Sequence, residues 1–140
     1  EQKNKVPNYV GPDNGVLFQP KIDAKACFVN AACRNSAYNY AVDVSIGAFS
    51  RPGKGRGQRN KYSISCANLR RNAELDGLVF LGDALPTGPL AAGHLVALLV
   101  WGTVDFHWLR LDKDTRLWSH KSGFSPPSLL DNAGATIADP

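Results

Sequence analysis

Two short apolar segments constrain this chain most. Gly93-His94-Leu95-Val96-Ala97-Leu98-Leu99-Val100 comes first. After Gly102-Thr103 follows Val104-Asp105-Phe106-His107-Trp108-Leu109-Arg110-Leu111. Both are strand-length and rich in aliphatic and aromatic residues, and a tight link at Gly102-Thr103 makes them an antiparallel hairpin. Pairing sets His94 against residues around 108–111 and His107 against residues near 97–99. Direct contact between the two imidazoles then needs a bulge or a skewed register. Alternation puts Asp105 and His107 on one strand face. Leu117-Trp118-Ser119-His120 reads as a third strand after a turn at Asp112 to Thr115, which brings His120 beside the pair.

Upstream the periodicity changes. Asn35 and Ser36 are N-cap residues ahead of Ala37-Tyr38-Asn39-Tyr40-Ala41-Val42-Asp43-Val44, a first helix ending near Gly47. Ser63 or Ser65 caps a second helix, about Cys66 to Asp76. In it Ala67, Leu69, Ala73 and Leu75 give an approximate apolar stripe, and Gly77 ends it. Helices first and an antiparallel meander second make the class α+β. The 140 residues suit one domain. Residues 1–25, punctuated by Pro and Gly, read as an irregular N-terminal arm, and residues 122–140 as a surface tail.

Hydrophobic residues make up 44% of the chain and charged ones 20%, which decides for a globular domain over disorder. No apolar run reaches the roughly 18 residues a membrane span needs. The chain opens Glu1-Gln2-Lys3 without Met, which suits a processed, secreted chain or a trimmed one. Net charge is +4, with the excess concentrated in Arg51 to Lys61. That run suits an anionic polymer or a solvated loop. Cys27, Cys33 and Cys66 are an odd set. One disulfide is expected, Cys33–Cys66 or Cys27–Cys33. No CxxC, HxH or HExxH spacing occurs, so neither a metal site nor a cofactor is expected.

The order of motifs resembles papain-like cysteine hydrolases of the NlpC and CHAP types. In those, a nucleophilic Cys opens a helix, a Gly-His begins a later apolar strand, and a third polar residue sits on the next strand. Gly93-His94 through Val100 matches the histidine strand, His107 the third residue, and Asn35 to Ala41 the nucleophile helix. The chain is also similar to a poorly described group of secreted bacterial and fungal proteins. That group reads Cys-Tyr-Asn-Tyr-Ala, then Gly-His-x-Val-Ala-Leu, Phe/Tyr-His-Trp-Tyr-Arg and Trp-Ser-His-Lys. Gly93–Leu98, Phe106–Arg110 and Trp118–Lys121 match the last three. These segments cover about a quarter of the chain.

The resemblance implies a papain-like fold and hydrolysis of an amide bond in a peptide, a protein or peptidoglycan. It also implies a Cys where this chain has Ala37. Either the chain carries a Cys→Ala substitution, which the odd cysteine count and the intact flanks favour, or it is an inactive relative. A thiolate at that helix start gains from the dipole. His94 is the expected base, His107 its orienter, with Asp105 next. Oxyanion donors are the Ala37 N–H, Tyr38 or Asn39. Cys66 is a minor alternative nucleophile, since it too opens a helix.

Two other readings need no cysteine. One is a small basic ribonuclease using His94 and His107 with Arg110 or Lys121. The other is a non-catalytic module with Trp101, Trp108 and Trp118 as a carbohydrate or peptide platform, set against core packing for the same rings.

Overall fold

The computed structural model describes residues 35–43, 49–53, 64–86, 93–112 and 115–140. The expected N-terminal arm, Cys27, Cys33 and residues 54–61 of the basic run lie outside the described residues. Two helices, α1 (Ala37–Ala41) and α2 (Cys66–Leu75), precede three strands, β1 (Val96–Trp101), β2 (Asp105–Leu111) and β3 (Trp118–His120). The strands form one antiparallel sheet in the order β1-β2-β3. The architecture is mixed α+β.

Ser36 caps α1 through a capping box. Its Oγ accepts from the Asn39 N–H, while Asn39 Oδ1 accepts from the Ser36 N–H. The helix stops at Ala41, well short of the expected Gly47. Val42 caps it, and Asp43 turns left-handed at φ 59°. The Tyr40 carbonyl accepts from the Asp43 N–H and from the Arg110 guanidinium, which ties the end of α1 to β2.

Ser65, of the two candidates, caps α2, and Asp76 and Gly77 end it. Only Leu69 and Ala73 of the expected stripe are buried. They are four residues apart and share a face, whereas Leu75 lies two residues from Ala73 and points elsewhere.

In the hairpin Leu99 pairs with His107 and Val96 with Arg110. The connection is one residue longer than expected, running Gly102-Thr103-Val104, with Val104 N–H donating to the Trp101 carbonyl. The segment after β3 is mostly exposed, as a surface tail would be, yet it is held by backbone bridges. Trp118 pairs with Ile137, His120 with Ser128 and Leu130 with Thr136. Asp131 Oδ1 closes its turn by accepting from the N–H groups of Ala133 and Ala135.

The core forms where α1 lies on one face of β1 and β2. Tyr38, Ala41, Val42, Ala73 and Trp108 are its buried members. The Tyr38 and Trp108 rings meet at 4.9 Å.

Candidate functional site

Strand alternation sorts the candidate residues onto two faces. Trp108 and Arg110 of β2 point toward α1, which they contact directly. Residues directly opposite in an antiparallel pair share a face. His94 has the parity of Val96 and lies on the α1 side. Asp105, His107 and Leu109 lie on the other side, together with His120, which pairs with Leu109.

On the α1 side, Ala37 opens the helix and packs against the core. The next four residues are buried. Tyr38 Oη donates to Asp76 Oδ2 at 2.8 Å, and the same oxygen accepts from the Gly53 N–H. Asn39 Oδ1 accepts from the N–H groups of Ser36 and Ser50 at 3.0 and 3.1 Å. Two N–H donors fix which end of the amide is oxygen. Asn39 Nδ2 is then a buried donor with no acceptor among the described residues. Tyr40 Oη and Ser119 Oγ are 2.7 Å apart, and burial pushes the Tyr40 phenol up.

His94 meets the far end of that helix. Its Nε2 is 2.7 Å from the Ala41 carbonyl oxygen. A carbonyl only accepts, so Nε2 carries the proton and Nδ1 the lone pair. Ala41 lies four residues beyond Ala37, about 6 Å along the axis. Burial lowers the His94 pKa to about 4, against the opposing bond to Ala41. The imidazole is therefore neutral near pH 7. The expected orienters do not reach it, because the sheet places His107 and Asp105 on the opposite face. A backbone carbonyl fixes the tautomer instead. No sequence signal points to that atom.

On the outer face His107 finds a different partner. Its Nε2 is 2.9 Å from His120 Nδ1, with the rings nearly perpendicular at 88°. His120 Nε2 is 2.7 Å from the Leu130 carbonyl oxygen. With both rings neutral, His120 donates to that carbonyl from Nε2, and His107 donates to His120 Nδ1. Burial, and then the neighbouring His120, lower the His107 pKa to about 4. Asp105 is exposed and its Oδ1 accepts from the Phe106 N–H.

The ribonuclease expectation required Arg110 or Lys121 at the surface. Both are fully buried. Arg110 Nη1 donates to Asp43 Oδ1 at 2.8 Å and to the Tyr40 carbonyl at 3.2 Å. Its guanidinium lies 4.0 Å from the centroid of the Tyr40 ring, and its Nε is 3.5 Å from Asp112 Oδ1. Lys121 Nζ donates to the carbonyls of Asn35 and Gly123. These cations tie α1 and its flanks to the sheet and are closed to phosphate.

The aromatic platform is corrected on the same ground. Trp108 is 4% and Trp118 2% exposed, while Trp101 is 54% exposed at the hairpin tip. Trp108 is a core residue, and one ring alone faces solvent. Cys66 is an exposed free thiol at the first position of α2, so the Cys33–Cys66 disulfide is not formed. The Cys27–Cys33 pair lies outside the described residues. Among the described residues, no helix is long and apolar enough to cross a membrane.

Among known proteins, the chain is 34% identical over 107 residues to insoluble matrix shell protein 1 of Ruditapes philippinarum. The match covers 76% of this chain and 68% of that protein. No family model and no solved structure matches the chain.

Proposed function

The chain belongs to the family of that insoluble matrix shell protein, and we propose that it is a secreted, non-catalytic component of an extracellular matrix. One observation carries this reading: the residues that would build a catalytic centre around Ala37 are committed to holding α1. Tyr38 is bonded to Asp76, Asn39 to Ser36 and Ser50, Tyr40 to Ser119, and His94 to Ala41. A shell matrix lies outside cells, which agrees with the secreted origin expected from sequence. The positive net charge suits association with an acidic matrix polymer. Cosedimentation of the purified chain with chitin, calcium carbonate and an insoluble acidic polysaccharide tests the reading. Retention by at least one solid, without turnover of peptide, peptidoglycan or RNA, is expected. Turnover by the native chain, or release from every solid, overturns it.

A second reading, a papain-like amide hydrolase with a Cys at position 37, has one specific observation in its favour. Asn39 Nδ2 is a buried donor lacking an acceptor among the described residues, two residues from Ala37, where an oxyanion donor is expected. This reading also needs His94 to leave Ala41 and reach the helix start. The test is Ala37→Cys, assayed on peptide, protein and peptidoglycan with and without a thiol alkylator. Alkylator-sensitive cleavage seen only in the substituted chain favours the hydrolase. Inactivity of a folded Ala37→Cys chain removes it.

A further inference from the structure

The outer face of the sheet carries two imidazoles that the matrix reading does not use and that stand apart from His94. His107 on β2 and His120 on β3 meet there, with Nε2 of one 2.9 Å from Nδ1 of the other. Leu130's carbonyl takes the His120 Nε2 proton, so His120 Nδ1 is fixed as a lone pair aimed at His107. Metal-ligating histidines show the same arrangement: the far N–H donates to a carbonyl, which sets the tautomer and raises the basicity of the near nitrogen.

His107 fills the gap with its Nε2 proton. A neutral imidazole carries its one proton on either nitrogen. With the proton on Nδ1, both facing nitrogens offer lone pairs to one point. A cation bound at about 2.0–2.1 Å from each nitrogen in tetrahedral geometry sets them roughly 3.3 Å apart. The gap must widen by about half an ångström and the rings must tilt until both lone pairs converge on the metal.

We propose that His107 and His120 form a two-histidine site for a transition-metal dication of the zinc or copper type, which takes the place of the proton they share. Imidazole nitrogen selects these ions, whereas calcium and magnesium require oxygen ligands. No group of three His, Cys, Asp or Glu side chains gathers among the described residues, so solvent completes the coordination. Ser122 Oγ, 3.5 Å from His120 Nδ1, lies beside the open positions. Asp105, on the same face, adds negative charge that favours a cation. His94 is on the opposite face and takes no part. The bound metal also pins the C-terminal return, because the His120 ring holds Leu130 and its backbone pairs with Ser128.

The test is a zinc sulfate titration of the whole chain at about pH 7.5, above the imidazole range. Imidazole NMR and calorimetry follow it, with parallel runs on His107→Ala, His120→Ala and Cys66→Ser. One equivalent should bind and shift the ring signals of His107 and His120 while leaving those of His94 in place. Affinity should fall at least about tenfold in each histidine variant and hold in Cys66→Ser. Calcium chloride should move neither ring. If His120→Ala fails to fold, the wild-type ring shifts and His107→Ala still decide. Rings that do not respond to zinc, binding that survives His107→Ala, or binding lost in Cys66→Ser overturns the proposal.

Discussion

His94 and His107 leave the β1–β2 hairpin on opposite faces of the sheet. His94 bonds the Ala41 carbonyl beneath α1, and His107 bonds His120 on the outer side. No single small substrate touches both rings. Chemistry that needs both imidazoles at one bond is therefore closed to this arrangement, whether as base with orienter or as an acid–base pair.

Both rings make stability depend on pH. Each has a folded pKa of about 4 against an ordinary value near 6.5. Between those values the unfolded chain binds more protons than the folded one, so stability falls as pH drops from about 6.5 to about 4. Asp43 acts in the opposite sense. Burial raises its pKa, so its contribution favours the protonated, low-pH side. Urea midpoints across this window should show the net loss. His94→Gln, which keeps a donor for Ala41, should remove a share on the order of 2–3 kcal/mol of the pH dependence. An unchanged slope in that variant would mean His94 is not held neutral.

Arg110 is the central ion of the buried polar layer. It faces Asp43 and Asp112, and its guanidinium covers the Tyr40 ring. Removing one partner from a buried ionic group costs more than the pair's net worth, because the remaining charge is left uncompensated. Arg110→Met should cost about 3–5 kcal/mol by urea denaturation. Arg110→Lys should recover little, since an ammonium lacks the planar fork that reaches Asp43 and the Tyr40 carbonyl together. A loss under about 1 kcal/mol in Arg110→Met would show that this network is solvated.

The hairpin turn makes a smaller, cleaner test. Gly102 has φ +53°, and nothing lies within 4 Å of where its Cβ would be. Only backbone strain then opposes a side chain there, so Gly102→Ala should cost about 1–2 kcal/mol. Gly102→Asn should cost less, because Asn tolerates the left-handed region. Thermal denaturation of the two variants checks the order.

Local features were the legible ones. Ser36 and Ser65 announce helix starts because a cap is made by residues three apart in sequence. Alternation in 104–111 placed His107 opposite the 97–99 region, and its partner is Leu99. What escaped depends on distant parts of the chain. Arg110 finds Asp43 across 67 residues and Tyr40 across 70, and nothing near either residue signals the other. An aromatic on alternating strand positions suits a binding platform as well as a core, and it is α1, distant in sequence, that covers the face of Trp108. A two-residue turn at Gly102-Thr103 would put His94 and His107 on one face; the third turn residue, Val104, shifts the register by one and sends His107 to the other face. Its true partner lies on a third strand of only three residues.

Tyr38 separates a structural role from a catalytic one. Its hydroxyl donates to Asp76 Oδ2, and Asp76 is fully buried. Tyr38→Phe keeps the ring against Trp108 but withdraws one donor from that carboxyl, which also accepts from the Gly53 N–H. The expected loss is about 1.5–3 kcal/mol, the range for a hydrogen bond to a charged group. Combining it with Asp76→Asn should show coupling of about 1 kcal/mol or more, since the two side chains act as one unit. Were Tyr38 an oxyanion donor, the same substitution in an Ala37→Cys background would lower kcat and leave the urea midpoint in place. The bond to Asp76 predicts the reverse: a lower midpoint for Tyr38→Phe in either background.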